Sequence, residues 1–234
     1  MTAFSVLIPY RPSHRQREKA FDWILRRYEK LLPEAELCVA DSGHVHSDEF
    51  NRSEARNNAY ALATTDILLV ADADTIPERD AILSGIELLD KQVPWVVPYS
   101  TYYNLGVDKT QEILKYGPHL DIEFEEADCE HIVMSTAGML LMRRSAWETV
   151  GGYDERFIGW GYEDNAFQLS LDILVGRHER VHDGRGIHLW HPAPETVRFQ
   201  QPMIRHNKQL FDQYVRASRR PERMRKLVDE RLHV

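Results

Sequence analysis

The stretch from Asp66 to Asp74 constrains this chain more than any other part of it. Its apolar run, Ile67 to Ala71, is typical of a buried strand. Two carboxylates, Asp72 and Asp74, follow directly, at the point where the strand must give way to a turn. Ligands of open α/β sheets bind at the carboxyl edge of the strands. The stretch therefore predicts an acidic site at the edge of a sheet, although a solvated acidic turn would have the same pattern.

Carboxylates spaced in this way are well suited to a divalent cation. Mg²⁺ and Mn²⁺ bind a few hard oxygen donors and keep coordination positions open for substrate phosphates. Asp72 and Asp74 are therefore candidate ligands of such an ion.

Strand and helix patterns alternate along the chain and predict an α/β fold. Strands are expected over residues 4–9, 36–40, 67–71, 95–99 and 138–143, and helices over 15–32, 51–64, 79–89, 144–150 and 164–174. This order implies one Rossmann-like domain with a mostly parallel central sheet flanked by helices. We place this domain at residues 1–195 and expect residues 196–234 to form a C-terminal helical extension packed on it, interrupted at Pro202 and Pro221. Residues 100–133 show little regularity.

Composition narrows the class of protein. The chain has 234 residues, 43% of them hydrophobic, which is enough for a sizeable core. A net charge of −8 argues against a general nucleic-acid or anionic-membrane surface, although the tail from Arg216 to Arg231 is basic and could be a solvated helix face or a contact with an anionic acceptor. No stretch resembles a signal peptide or a transmembrane segment. Its two cysteines form no ligand pattern, so we expect a soluble, cytoplasmic protein.

Polar residues also follow the first two predicted strands. Pro9 and Arg11 come after the first, and Asp41 comes after the second. If these strands are parallel, their ends lie on the same edge as the acidic pair. A carboxylate there could accept the ring N–H of a uracil-type base, while Arg11 could meet phosphate or stack on the base. Asp41 could also serve only as a turn-forming residue.

Two arginines lie one turn apart near the start of the second predicted helix. Arg52 and Arg56 would share one face and could contact a phosphate or a base edge. Pairing with Glu49 or Glu54 on a solvated surface is an equally good interpretation.

The segment Gly159-Trp-Gly-Tyr-Glu-Asp164 combines flexible backbone, an aromatic face and two acids. Trp160 offers a flat apolar surface for a sugar ring. Glu163 and Asp164 stand at a helix start, where an ionised carboxylate is stabilised and could act as a general base toward a hydroxyl. Simple helix capping by Asp164 is the alternative, and the two roles are compatible.

Two histidines, His188 and His191, are three residues apart. Alone they would more often be solvated or core residues. With Asp74 upstream in need of further ligands, they become candidate ligands of the same ion.

Taken in order, these segments resemble the GT-A glycosyltransferases, above all the galactosyltransferase-like and polypeptide N-acetylgalactosaminyltransferase-like members. The resemblance spans roughly residues 4–195, and its specific part is Gly151-Gly-Tyr-Asp-Glu155 with Trp160-Gly-Tyr-Glu-Asp164. It implies a metal-dependent glycosyltransferase that uses Mn²⁺ or Mg²⁺ and a nucleotide-sugar donor, with a UDP-sugar expected. The acceptor stays open between a glycan, a lipid-linked sugar, a protein and a modified base.

The resemblance also implies a role for each candidate residue. On the donor side it assigns Asp74, His191 and His188 to the metal, Asp72 to the metal or the ribose, and Asp41 and Arg11 to the base. Asp164 matches the catalytic base of inverting enzymes, and Glu163 and Trp160 would bind the acceptor or the transferred sugar. Tyr162 departs from the glycine usual at its position, which leaves the shape of the acceptor pocket open.

Three other functions compete with this one. A retaining enzyme of the same fold would usually carry Glu-Asn where this chain has Glu163 and Asp164. A sugar nucleotidyltransferase needs a glycine-rich basic loop after the first strand, where this chain has Pro9-Tyr-Arg-Pro12. A non-catalytic nucleotide-sugar-binding protein would have no need to keep Asp164 or the histidines.

Overall fold

A computed structural model of the chain describes residues 2–43, 50–192 and 201–231. Glu49, one possible partner of the two arginines, and the predicted domain boundary at residues 195 and 196 lie outside these residues. The described strands are β1 (Phe4–Pro9), β2 (Ala35–Ala40), β3 (Ile67–Ala71), β4 (Thr75–Ile76), β5 (Trp95–Val97), β6 (Thr101–Leu105), β7 (Cys129–Val133), β8 (Met139–Arg143), β9 (Glu179–Arg180) and β10 (Arg185–His188). The described α-helices are α1 (Arg15–Leu31), α2 (Arg52–Leu62), α3 (Arg79–Asp90), α4 (Val107–Ile113), α5 (Arg144–Val150), α6 (Glu163–Leu174), α7 (Gln201–Ala217) and α8 (Pro221–Arg231).

The main sheet has six strands in the order β2-β1-β3-β8-β5-β9. All run in one direction except β8, which is antiparallel to both of its neighbours, β3 and β5. All five residues of β3 are buried, because this strand lies between β1 and β8 in the middle of the sheet. The expected α/β fold with a mostly parallel central sheet is confirmed.

A second sheet, with the strand order β4-β10-β6-β7, is absent from the sequence prediction. Two of its strands, β6 and β7, come from the stretch at residues 100–133 that showed little regularity. The edge strand β7 is largely exposed, so it carries no apolar alternation that would reveal it. This sheet begins at β4, directly after the acidic turn that follows β3.

Helices cover the main sheet through their apolar faces. Helix α2 packs against β1 and β2, and α3 packs against β5 and β8. Asn51 caps α2 by accepting a hydrogen bond from the amide of Glu54. Because β1, β2 and β3 are parallel, the residues that directly follow β1 and β2 lie on the same edge of the sheet as the acidic turn.

The C-terminal helices α7 and α8 pack against α6 around a small apolar cluster of their own. Tyr214 donates a hydrogen bond of 2.7 Å to the buried carboxylate of Asp154, and Arg231 donates to the carbonyl oxygen of Gly152 at 2.7 Å. The predicted interruption at Pro202 is wrong, because this proline lies in the first turn of α7, where its missing N–H is not needed. Pro221 does separate the helices, and it begins α8.

Among the residues that the structure describes, no helix is both long enough and apolar enough to cross a membrane.

Candidate active site

Asp74, His188 and His191 form a cluster with the donor atoms of a metal site. One ligand atom from each lies within 4.8 Å of the other two. The Nε2 atom of His188 is 3.4 Å from Oδ1 of Asp74, and the Nε2 atom of His191 is 3.4 Å from Oδ2. Asp74 is only 7% exposed. These three residues, predicted as metal ligands from the sequence, are brought together by the fold.

Pairing between two short strands explains how His188 reaches Asp74. Strand β4 starts immediately after Asp74 and pairs antiparallel with β10, so that His188 lies opposite Thr75. The amide of Leu189 then donates a hydrogen bond of 2.8 Å to the carbonyl oxygen of Asp74. The backbone ladder therefore fixes the carboxylate and the first imidazole relative to each other.

The second imidazole is held by the turn that follows β10. The amide of Trp190 donates to the hydroxyl oxygen of Thr110 at 2.9 Å. Nδ1 of His191 lies 3.1 Å from the carbonyl oxygen of Pro192. If Nδ1 carries the proton and donates it to this carbonyl, the lone pair of Nε2 is available to bind a metal ion. This is the usual way in which a second hydrogen bond orients a metal-binding histidine.

The donor set fits Mn²⁺ better than Mg²⁺. Mg²⁺ prefers oxygen ligands throughout, whereas imidazole nitrogen suits first-row transition metals. Burial acts to raise the pKa of Asp74, but His188, His191 and Arg17 outweigh it and hold that pKa well below its ordinary value. Burial lowers the pKa of His191, which favours the neutral imidazole that a metal requires.

Arg17 is a site residue that the sequence analysis missed. Its Nη2 atom lies 3.8 Å from Oδ2 of Asp74. Its Nε atom is buried and has no hydrogen-bond partner among the described residues. A buried guanidinium nitrogen without a partner is costly unless a ligand supplies an oxygen atom. Its position in the first turn of the helix after β1, at the carboxyl edge of the sheet, was the available signal.

Arg56 stands at the centre of a second cluster, which contains the other candidate acids. It is 1% exposed, and its Nη2 atom lies 2.8 Å from Oδ1 of Asp72 and 3.3 Å from Oδ1 of Asp164. Its Nη1 atom is 3.7 Å from Oε1 of Glu163, and its guanidinium lies over the ring of Tyr153 at 4.7 Å. The geometry makes Arg56 an internal counter-ion, and its predicted contact with the donor stays a prediction. Since Asp72 pairs with Arg56 and lies outside the metal cluster, its role as a metal ligand also stays a prediction.

Asp164 has the electrostatics of a proton acceptor. Its Oδ1 atom accepts a hydrogen bond of 3.1 Å from the hydroxyl of Tyr153. Burial raises the pKa of Asp164 to about 7, with Glu163 and Asp72 adding to the rise and Arg56 opposing it. A base works best when its pKa is near the operating pH. Helix α6 begins at Glu163, so Asp164 is not its N-cap residue.

Arg11 and Asp41, predicted to hold the base, are paired with each other. The Nε atom of Arg11 donates to both carboxylate oxygens of Asp41, at 2.8 and 3.0 Å, and Nη2 donates to the Ser42 hydroxyl at 2.8 Å. The Arg11 guanidinium also lies 5.4 Å from the ring centre of Phe50. The Asp41 side chain remains 37% exposed, so it keeps acceptor capacity for a ligand. Pro9 is buried as the last residue of β1.

The tryptophan loop, residues 158–162, directly precedes α6 in the chain and is contacted by Arg52. Arg52 donates a hydrogen bond of 2.9 Å to the carbonyl oxygen of Gly159, so its charge supports this loop. Trp160 is 57% exposed and free to meet a ligand. Gly159, Gly161 and Tyr162 all have positive φ, at 70°, 107° and 71°, which is unfavourable for the tyrosine.

Replacing Arg56 with methionine should destabilise the fold by about 3–5 kcal/mol, because three carboxylates lose their buried counter-charge. Burial already raises the folded-state pKa of Asp164 to about 7, and loss of Arg56 would raise it further, which penalises the folded state as pH increases. Urea unfolding should therefore show a larger loss at about pH 8 than at about pH 5. The exposed Arg223→Met substitution is the control. Equal unfolding free energies for the two variants would contradict the role of Arg56.

Comparisons with known proteins agree with the geometry. Residues 44–151 match the family described as glycosyl transferase family 2, and residues 118–192 match the N-terminal domain of galactosyltransferase. No curated protein matches the sequence significantly.

Three solved structures share the fold at low sequence identity. A Drosophila β1,4-galactosyltransferase 7, in complex with manganese, UDP-Gal and xylobiose, has a TM-score of 0.52 and 18% identity over 77% of this chain. This chain covers 65% of that enzyme, which is less than two thirds of its length. A mannosyltransferase from Pyrobaculum calidifontis, with GDP-Man and Mn²⁺, has a TM-score of 0.54 and 14% identity, covering 97% of this chain and 68% of that one.

The third structure is a glucosyl-3-phosphoglycerate synthase from Mycobacterium tuberculosis, in complex with Mn²⁺, UDP-glucose and phosphoglyceric acid. Its TM-score is 0.54 at 17% identity, covering 95% of this chain and 80% of that one. The two family matches overlap and together run from residue 44 to residue 192, across the acidic turn, the carboxylate cluster and both histidines. The chain therefore has the fold of the GT-A glycosyltransferases, and it is similar in sequence to two glycosyltransferase families over these residues.

Proposed function

We propose that this chain transfers a sugar from a UDP-sugar to an acceptor hydroxyl with inversion at the anomeric carbon. The observation that carries the proposal is the pair of neighbouring clusters: a carboxylate and two imidazoles beside a set of acids held by Arg56. The first cluster suits a metal-bound diphosphate, and the second contains a carboxylate suited to proton transfer.

On the donor side, Asp74, His188 and His191 would hold Mn²⁺, the ion found in all three solved relatives described above. A bound Mn²⁺ would neutralise negative charge on the departing diphosphate. Arg17 adds a fixed positive charge 3.8 Å from Asp74, and its unpartnered Nε can donate to a phosphate oxygen.

The base of the donor would lie against the Arg11–Asp41 pair. The exposed part of the Asp41 carboxylate can accept the single ring N–H of uracil, and Arg11 limits the freedom of that carboxylate by holding both of its oxygens. Guanine presents one ring N–H beside an exocyclic amino group, so a GDP-sugar is the competing donor. The solved structures described above include complexes with GDP-Man and with UDP-glucose.

On the acceptor side, Asp164 would take the proton of the attacking hydroxyl. The oxygen of that hydroxyl would bond to the anomeric carbon as the bond from that carbon to the nucleotide diphosphate breaks. Tyr153 and Arg56 orient the Asp164 carboxylate through contacts of 3.1 and 3.3 Å. Trp160 would face the sugar ring. A base on the acceptor is the arrangement expected for inversion, and a retaining enzyme is the alternative.

A thermal-shift screen tests the donor assignment. UDP-galactose, UDP-glucose, their N-acetylamino forms and GDP-mannose are each added with Mn²⁺, with Mg²⁺ or with EDTA. At about 100 times Kd, binding should raise the melting temperature by about 5–10 °C. We expect a shift with UDP-sugars and Mn²⁺, a smaller one with Mg²⁺ and none with EDTA.

Two outcomes would contradict the donor assignment. A shift of the same size in EDTA would remove the metal from donor binding. No shift with any nucleotide sugar in Mn²⁺ would remove the nucleotide-sugar donor itself. A shift with GDP-mannose alone would replace UDP by GDP and leave the transfer reaction in place.

A further inference from the structure

We propose that Asn207, in the C-terminal helix α7, is a positioning residue for sugar transfer: it holds the tryptophan loop so that Trp160 faces the site. This inference rests on the proposed function, because it assigns the loop a role in the same reaction. Asn207 lies outside the segments that carry the family resemblance and outside both family matches.

Every polar atom of the Asn207 side chain is engaged with the loop. Its Nδ2 atom donates to the carbonyl oxygens of Ile158 at 2.8 Å and Trp160 at 3.3 Å, and its Oδ1 atom accepts from the amide of Ile158 at 3.1 Å. The side chain is wholly buried. A buried amide whose hydrogen bonds all go to one backbone segment defines the path of that segment, since a buried polar group without a partner destabilises the fold.

The loop needs such support because its backbone is unfavourable. Tyr162 adopts positive φ without being a glycine, and a strained conformation of this kind persists only when its surroundings impose it. The ring of Tyr162 stacks on Phe211, one helical turn after Asn207, with ring centres 5.4 Å apart. Helix α7 therefore holds both the middle and the end of the loop.

Arg52, the first residue of α2, also contacts the tryptophan loop by donating a hydrogen bond to the carbonyl oxygen of Gly159. Trp160 thus stands between two anchored carbonyl groups while its ring stays largely exposed. Such an exposed ring on a fixed backbone suits a platform for a sugar ring, which must be held to within a fraction of an ångström. A shift of about 1 Å in a positioning group can cost about 100-fold in rate.

The test compares Asn207→Ala with Met224→Ala. Met224 is wholly buried in the same C-terminal cluster, on α8, and its sulfur accepts a hydrogen bond from Ser170 on α6, so its loss should lower stability without freeing Trp160. For Asn207→Ala we expect kcat for nucleotide release from the donor to fall about 10–100-fold, with Kd for UDP and Mn²⁺ within about twofold of wild type. Met224→Ala should keep kcat within about twofold below its melting temperature.

A second readout follows Trp160 directly. The fluorescence of Trp160 is obtained by subtracting the spectrum of the matched Trp160→Phe protein from that of each variant. Quenching of this fluorescence by acrylamide should increase in Asn207→Ala but not in Met224→Ala. If Asn207→Ala does not fold, Asn207→Asp serves instead, because it keeps the bond from the Ile158 amide and loses both donated bonds.

Unchanged quenching, or increased quenching with unchanged kcat, would overturn the positioning role. Failure of the proposed function looks different: the wild-type protein would then neither bind nor turn over nucleotide sugars, while the quenching comparison would still report on the loop.

Discussion

Asp164→Asn should lower nucleotide release from the donor by about 10²–10⁴-fold while leaving the donor bound. Asparagine keeps the size of the side chain and can still accept the hydrogen bond from Tyr153, but it cannot accept the proton of the attacking hydroxyl. Turnover and Kd for the donor, measured on the same preparation with Mn²⁺, separate loss of chemistry from loss of binding.

Asp172→Asn is the matched control, since it makes the same change on the same helix at a carboxylate whose hydrogen-bond partners among the described residues are Trp95 and His178. It should retain full turnover. Turnover of Asp164→Asn close to the control value would remove Asp164 from its role as the base.

The pH dependence of the wild-type enzyme gives an independent measure of the same group. Only the ionised carboxylate accepts a proton, so kcat should fall about tenfold per pH unit below the pKa of Asp164, which lies at about 7, and be level above it. Tyr153→Phe removes a hydrogen bond that favours the ionised form, so it should move the inflection to higher pH. An inflection that does not respond to Tyr153→Phe would belong to another group.

Asp74→Asn should weaken Mn²⁺ binding by more than about 100-fold, which exceeds the usual loss for an outer-shell partner of a metal ligand. The substitution removes the carboxylate that both His188 and His191 face, and with it the negative charge that opposes the positive charge of Arg17. Titration with Mn²⁺ followed by electron paramagnetic resonance measures the affinity without any substrate.

Turnover of the donor should be lost in parallel with Mn²⁺ affinity. Asp80→Asn, an exposed aspartate in the first turn of α3, is the control and should behave like wild type. Wild-type Mn²⁺ affinity in Asp74→Asn would exclude the three-residue site.

The parts of the fold that the sequence predicted are those with local periodicity. Strand β3 is a continuous apolar run, and helices α1 and α3 repeat apolar residues at helical spacing, so their bounds agree with the prediction within a few residues. Site residues at the ends of such elements could be placed on one edge because parallel strands share a direction.

The remaining features depend on contacts between distant segments. Most residues of β6 and β7 are partly or fully exposed, so these strands lack the continuous apolar run that marks β3, and the second sheet had no local signal. The pairing of Arg56 with three acids on two other segments, and the closeness of Arg17 to Asp74, follow from tertiary packing alone. Sequence spacing therefore indicated the cluster of candidate metal ligands, but it did not indicate the acids around Arg56 or the position of Arg17.

The hydrogen bond between Asn207 and Ile158 joins residues 49 positions apart. Arg17 and His191 both precede Asn207 in the chain. During synthesis, the acidic turn and the Arg11–Asp41 pair can therefore fold well before helix α7 leaves the ribosome. On the proposed function, a nascent chain at that stage would already contain Asp74, Arg11 and Asp41 on the donor side. The loop that carries Trp160 would be fixed later, when Asn207 on α7 bonds to Ile158 and Trp160.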